Sequence, residues 1–216
     1  MRWRIVAMTL GLVLAAPALA RADSFNPISV GVGASTLGYG VTLERPLLFN
    51  LSARIVTGRL SSSDERRYDG NPYTRTFNEN NALVAADFRP SSGRWRLSAG
   101  VLFGSDRTDY IVRDNAGTYA LNGNSYPVAS AGLVKSTVSY ARPAPFAGVG
   151  GGTGITRGLA ISFDVGAVLR NGTLTTSTSG VLAGDPAFSR DLAATGAQFK
   201  RRFLQPVVSV GLTYRP

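Results

Sequence analysis

Neither histidine nor cysteine occurs among the 216 residues of this chain. Histidine is the usual general base near neutral pH, and both residue types are common metal ligands. Acid–base chemistry would therefore fall to carboxylates, of which Asp64 and Glu65 are sequence neighbours. They lie beside Arg66, Arg67 and Asp69, and this pattern favours a solvated mixed-charge cluster over a catalytic pair. We predict that the protein is not an enzyme and that it has no catalytic residues.

Metal and phosphate sites are equally poorly supported by the sequence. An oxygen-only calcium site needs a regularly spaced acidic loop, and no acidic run in the chain has that spacing. The glycine-rich segment Gly148–Gly154 lacks the Gly-Lys-Ser/Thr ending of a phosphate-binding loop, and no helical pattern follows it. We interpret this segment as a turn between strands and predict no metal and no cofactor.

Two further groups of residues leave a binding role open. Tyr119 and Tyr126 could hold a ligand between them, although packing across a hairpin explains the pair equally well. The basic run Lys200–Arg202 could bind an anionic sugar lipid or could form a positive rim at a headgroup boundary.

Charged residues recur at the polar positions of segments that alternate between apolar and polar side chains. The set comprises Glu44, Arg54, Asp87, Arg94, Arg96, Asp164, Arg170 and Arg215. Side chains of a strand point alternately to opposite faces, so these residues are expected to share one face of a sheet. Their position depends on the strands that carry them.

The two-residue period of a β-strand recurs along the whole chain that follows the first 22 residues. In the clearest example, Leu159, Ile161, Phe163, Val165, Ala167 and Leu169 oppose Ser162, Asp164, Gly166 and Arg170. Residues 207–216 alternate in the same way, with Val208, Val210, Leu212 and Tyr214 on the apolar face. Including a short segment at 28–34 and one at 135–150 interrupted by Pro143 and Pro145, the pattern predicts eight strands.

The connections between these strands are alternately short and long. Short ones are predicted at 44–48, 89–93 and 150–157, and long polar ones near 61–75, 105–134 and 171–203. This alternation is typical of a transmembrane β-barrel. Within the long connections we predict a small hairpin about Asn122 and Gly123 and a short helix from Pro186 to Arg202.

The first residues have the pattern of an export signal. Arg2 and Arg4 precede an apolar run over 5–16, and small residues that suit cleavage follow. We predict a cleaved signal peptide, residues 1–22, and one barrel domain, residues 23–216. The mature chain would carry 20 basic and 13 acidic residues, a net charge of +7. In an exported protein this favours anionic lipid or lipopolysaccharide as neighbours, rather than nucleic acid.

The chain resembles the small proteobacterial outer-membrane barrels of the OmpA/OmpW-like superfamily. The resemblance rests on the segments Thr36–Glu44, Thr118–Tyr126, Ala144–Gly150, Phe163–Gly166 and Pro206–Arg215. It implies an all-β fold, a closed antiparallel up-and-down transmembrane barrel of about eight strands, located in the outer membrane of a Gram-negative bacterium. It also implies recognition by the barrel-assembly machinery through Gly211, Leu212, Tyr214 and Pro216, where Pro216 replaces the usual terminal phenylalanine.

Three functions remain open. The leading hypothesis is a non-enzymatic structural or surface-interaction protein, whose charged lumen residues pair and plug a barrel just wide enough for its own side chains. The second is a transport or binding barrel with a narrow charged pore for a small solute. The third is a soluble periplasmic barrel similar to lipocalins, with apolar side chains inside. The sequence does not identify a ligand or an oligomeric state.

Overall fold

The computed structural model describes residues 28–48, 50–68, 71–90, 94–113, 117–140, 143–152, 158–197 and 203–216. The predicted signal peptide lies outside these residues. The strands are β1 (Ser29–Ser35), β2 (Gly38–Leu48), β3 (Leu51–Tyr68), β4 (Asn71–Phe88), β5 (Trp95–Val112), β6 (Thr118–Leu121), β7 (Asn124–Pro127), β8 (Val134–Tyr140), β9 (Ala144–Gly152), β10 (Gly158–Arg170), β11 (Gly172–Thr178) and β12 (Phe203–Arg215). The helices are α1 (Val128–Ala131) and α2 (Pro186–Ala197), with a 3-10 turn at Val181–Gly184. Among the described residues, neither helix has the length and apolarity to cross a membrane.

Eight of the strands form a closed antiparallel ring. Its order is β1, β2, β3, β4, β5, β9, β10 and β12, and β12 returns to β1 through pairs such as Val30 with Tyr214 and Ala34 with Val210. The predicted all-β barrel of eight strands is therefore confirmed. Closure leaves no unpaired edge around the ring, because the last strand pairs with the first.

The ring turns its apolar side chains outward. On β10 the exposed fractions are 71% for Leu159, 54% for Ile161, 42% for Phe163 and 52% for Val165, whereas Asp164 is 6% exposed. Similar outward stripes run along β12 and β4, with Val208, Val210 and Val84 all more than two-fifths exposed. This polarity contradicts the lipocalin-like alternative, which requires apolar side chains inside.

The two ends of the barrel differ. At one end, here called the turn end, lie the start of β1, the end of β12 and the connections between β2 and β3, β4 and β5, and β9 and β10. The other end, here called the loop end, carries the longer connections, which lie between β5 and β9 and between β10 and β12, and the extended β3–β4 hairpin.

The predicted long polar loops are in part wrong, because several strands continue beyond the ring at the loop end. β3 and β4 stay paired from Leu51 with Phe88 out to Tyr68 with Asn71. Polar pairs hold this extension: Ser61 donates to Asn78 at 2.7 Å, and Arg75 donates to Asp64 at 2.8 Å. Polarity on both faces was interpreted as a loop, but cross-strand polar pairs stabilise a solvated sheet as well. β8 and β11 extend the wall beside β5 in the same way.

Two predicted short connections also begin too early. β2 continues through Glu44 to Leu48, and β9 continues through Gly148 to Gly152. Residues 148–152 of the glycine-rich segment are therefore strand, not turn. Glycine is needed at position 152 because a Cβ there would lie 2.6 Å from the backbone oxygen of Ile161. The predicted interruption near Pro143 is confirmed, because β8 and β9 are separate strands that both pair with β5.

A small folded cap covers the inner face of the extended wall. It consists of the β6–β7 hairpin, α1, the 3-10 turn and α2, packed around buried Tyr119, Leu121, Val134 and Phe188. The predicted hairpin is confirmed: Asn122 and Gly123 have φ values of 51° and 83°, as a type I′ turn requires. The predicted helix begins at Pro186, but its described part ends at Ala197, and the basic run Lys200–Arg202 lies outside the described residues.

Candidate functional site in the barrel lumen

The inward face of the barrel carries a buried ion-pair network near the turn end. Arg54 lies at its centre and is 4% exposed. Its Nε donates to Asp87 at 2.7 Å, and its Nη1 donates to Asp164 at 3.0 Å. Buried charges are tolerated when they are paired and hydrogen-bonded, and all three guanidinium nitrogens of Arg54 donate hydrogen bonds.

Arg96 completes this group from the neighbouring wall. Its Nη2 donates to Asp164 at 2.8 Å, and its Nε lies 3.8 Å from Asp87. Gly150 makes the pair possible, since a Cβ there would lie 2.1 Å from an Asp164 oxygen. The Nη1 of Arg96 makes no hydrogen bond with any described residue.

A second group surrounds Glu44. Its carboxylate accepts hydrogen bonds from Ser52 at 3.0 Å and from Arg89 at 2.6 Å, and Arg215 lies 3.7 Å away. Arg215 also donates to Ser29 at 3.0 Å. The charged set predicted from the sequence did not include Arg89, although Arg89 follows Asp87 by two residues and therefore points to the same face. We call Glu44, Arg54, Asp87, Arg89, Arg96, Asp164 and Arg215 the turn-end network.

Arg94 was predicted to belong with these residues; it lines the same cavity of the lumen as Arg54 and Arg96 but takes no part in their ion pairs. It lies just before β5, is exposed, and its guanidinium makes no hydrogen bond or ion pair with a described residue. Its backbone oxygen accepts from Gly152 at 3.1 Å, which places Arg94 at the rim of the turn end.

An apolar layer fills the middle of the lumen above the turn-end network. It comprises buried Leu37, Leu83, Ala85, Leu102, Ala144, Phe146, Val168 and Val207. Alternation alone did not predict this layer, because several of its members share a strand face with charged residues. Val168, for example, lies between Asp164 and Arg170 on the inward face of β10.

Arg170 belongs to a separate cluster on the loop-end side of the apolar layer. Its Nη1 donates to Glu79 at 3.1 Å and also to Asp106, and all three side chains are at most 2% exposed. The guanidinium lies 5.3 Å from the centre of the Tyr140 ring. Sequence reasoning missed Glu79, which lies just after the long connection predicted near 61–75, and Asp106, which lies at the start of the one predicted near 105–134.

A cavity of about 90 Å³ lies between the turn-end network and the walls formed by β1, β2, β10 and β12. Small residues face it at one level around half of the ring. They follow one another by strand pairing: Gly40, Gly33, Gly211, Ser162 and Gly152. Without larger side chains at this level, the lumen is not filled there.

A different polar site holds the cap together. Asp191 of α2 is 7% exposed and accepts hydrogen bonds from Tyr126 at 2.6 Å, Asn124 at 2.7 Å and Asn122 at 3.1 Å. These bonds, led by that of Tyr126, lower the pKa of Asp191, and the bond to Asp191 raises the pKa of Tyr126 to about 12. Tyr119 and Tyr126 pair across the hairpin, and the ring of Tyr126 packs edge-on against Phe188 with centroids 4.9 Å apart.

The described residues offer no metal centre: no group of three or more carboxylates there could hold an ion. Of the mixed-charge cluster expected from the sequence, Arg66 donates to Asp64 at 2.7 Å; Arg75, which was not part of that prediction, also donates to Asp64, at 2.8 Å. The carboxylates and guanidinium groups of the lumen can bind and orient charged groups.

The fold and the charged lumen define a closed eight-stranded antiparallel barrel. Solved structures with this fold include CarO from Acinetobacter baumannii, at 21% identity and a TM-score of 0.54, and CarO2 from the same organism, at 18% identity and 0.57. Each comparison covers 90% of this chain and 100% of the other. No protein-family model matches the chain, and no curated protein matches it. The OmpA/OmpW-like resemblance therefore stays a prediction.

Proposed function

We propose that the chain is a non-enzymatic outer-membrane barrel whose lumen is plugged by its own side chains and whose cap acts at the cell surface. The observation that carries the proposal is the continuous outward apolar band, in which large side chains such as Leu159, Val165 and Leu212 are 43–71% exposed. Exposed apolar area on this scale would be costly in water and is stabilised in lipid.

Outer-membrane orientation follows from the difference between the two ends. Transmembrane barrels have short periplasmic turns and longer external excursions. The turn end would then face the periplasm, and the cap with the extended wall would lie outside. Lipid and lipopolysaccharide would be the neighbours of the outward band.

The plugged lumen is supported by three successive layers. The turn-end network, the apolar layer and the Arg170 cluster follow one another along the axis, and each contains side chains from several walls. An eight-stranded ring leaves little more than side-chain space, so these layers would occupy the cross-section.

Two measurements test the proposal. Fractionation of cells should recover the protein in the outer membrane, in a form whose gel mobility changes on heating. Recovery from the soluble periplasm would contradict the membrane assignment. Purified protein in planar bilayers should show no stable conductance, and a steady porin-like current would favour the alternative of a narrow transport pore.

A further inference from the structure

The arginines around the lumen cavity outnumber the carboxylates. Five arginines line it: Arg54, Arg89, Arg94, Arg96 and Arg215. The carboxylates nearby are Glu44 and Asp164 in the lining and Asp87 behind it, paired with Arg54. The turn end of the lumen therefore carries a surplus of two positive charges, next to low-dielectric walls that strengthen their field.

Arg94 and Arg96 each have side-chain donors that make no hydrogen bond with a described residue. Arg96 is 7% exposed, and its Nη1 makes no hydrogen bond within the described residues although its Nε and Nη2 are fully engaged by Asp164. Arg94 at the rim is unpaired in the same sense. A buried guanidinium with a spare donor, beside a cavity, fits an acceptor supplied from outside.

The walls add neutral donors and space. The side chains of Thr42, Ser162 and Thr213 line the cavity, and the small residues beside Ser162 leave it open. A volume of about 90 Å³ has room for several water molecules or for one small oxyanion.

We propose that this cavity is a binding site for a small oxyanion, a carboxylate or a phosphate, held by Arg94 and Arg96 and by the hydroxyl groups of the wall. Arg94 reaches the ligand from the rim and Arg96 from the interior, so the site is entered from the turn end and the apolar layer closes its inner side. The periplasmic sidedness of the site rests on the proposed function, whereas the binding itself does not.

Calorimetric titration of the folded protein in a zwitterionic detergent, with inorganic phosphate or acetate at constant ionic strength, tests the site. Saturable binding of at least one of the two is expected, and the phosphate and acetate arms identify which oxyanion chemistry is preferred. Arg94→Gln should weaken that binding about tenfold or more, because one charge-assisted contact is lost. Ser162→Leu, which fills the cavity and leaves both arginines, should remove it.

Arg45→Gln is the matched control, since Arg45 lies at the same end of β2 as Glu44 but on the outward face. It should bind like the unmodified chain. Absence of saturable binding for both anions, or equal affinity in the Arg94→Gln variant with a heat-modifiable folded band, would overturn the proposal. Because the titration is done in detergent, these outcomes are independent of where fractionation finds the protein.

Discussion

Arg54 on β3 and Asp164 on β10 meet at 3.0 Å although their strands stand on opposite sides of the ring. Three strands separate them in either direction: β4, β5 and β9 on one side, and β2, β1 and β12 on the other. The pair is therefore a tie across the lumen, and it fixes the distance between two walls that share no backbone hydrogen bond.

Removing one partner of this tie should destabilise the barrel strongly. In Asp164→Asn, Arg54 and Arg96 both lose a buried anionic acceptor, and the expected cost is about 3–5 kcal/mol in the free energy of unfolding. Urea unfolding of the protein folded in lipid or detergent measures this cost. Glu65→Gln is the control, because Glu65 is 71% exposed and its pair with Arg113 should contribute less than about 1 kcal/mol. Equal effects of the two substitutions would show that the tie does not stabilise the fold.

The outward band predicts a strong dependence on the face that is substituted. Val165→Arg should destabilise the inserted barrel by about 2–4 kcal/mol if Val165 lies near the bilayer midplane. Single cysteines introduced at 161, 163 and 165 should react with a membrane-confined label, and those at 162 and 164 should not. The native chain has no cysteine to interfere. Labelling of the even-numbered positions would reverse the assignment of faces. A substitution at the lumen-facing neighbour Gly166 cannot serve as the control for Val165→Arg, because any added Cβ would lie 2.6 Å from the backbone oxygen of Ala147.

Asp191 is expected to hold α2 on the β6–β7 hairpin. In Asp191→Ala the donors of Asn122, Asn124 and Tyr126 lose their shared acceptor, so the cap should loosen while the ring stays folded. Limited proteolysis should then cut within residues 179–203 much faster than in the unmodified chain, with the heat-modifiable band retained. Ser189→Ala, an exposed change on the same helix, should leave the cleavage rate unchanged. An equal rate for both variants would contradict this role.

The same contacts predict how the cap responds to pH. The folded pKa of Asp191 lies below its unfolded value near 3.8, so its contribution is present above that value and is lost as pH falls through the lowered pKa. The folded pKa of Tyr126 lies above its unfolded value of 10.0, at about 12. Its contribution is therefore present below pH 10 and is lost as pH rises toward 12. The protease sensitivity of the cap should therefore increase both at acidic pH and at alkaline pH. In Tyr126→Phe the part of the alkaline increase that is caused by ionisation of Tyr126 should be absent.

The ring could be predicted from the sequence because its walls obey one simple rule. Side chains that face outward and side chains that face the lumen alternate along each strand, so the stripe from Leu159 to Leu169 and its polar opposite could be predicted from the sequence. The same alternation predicted that Arg54, Asp87, Arg96 and Asp164 share a face. In the structure Arg54 donates hydrogen bonds to Asp87 and Asp164, and Arg96 donates to Asp164.

Parity does not give height along the barrel axis, and this is where prediction failed. Arg170 shares the face of Asp164 but lies beyond Val168, so it pairs with Glu79 and Asp106 on the loop-end side of the apolar layer instead. Asp106 lies in a segment that was predicted to be a loop, and Glu79 lies just beyond the end of another. Asp191 could not be foreseen either, since its partners are more than sixty residues away and meet it only when the cap folds.

The closing strand predicts what changes at the chain end should do. Tyr214 pairs with Val30 and Thr213 with Gly31, and Arg215 links Ser29 and Glu44 within the turn-end network. Deleting Thr213 through Pro216 removes both the final ladder pairs and these polar links, so insertion should be abolished. Pro216 itself lies beyond β12 and has no N–H to donate, so replacing it should leave the ladder intact. Pro216→Phe should raise the folded fraction in the membrane, because the OmpA/OmpW-like resemblance predicts a terminal aromatic as part of the assembly signal, whereas Pro216→Ala should not. Heat-modifiable gel mobility of membrane fractions reports all three variants, and a folded band from the truncated chain would show that the final four residues are not needed to close the barrel.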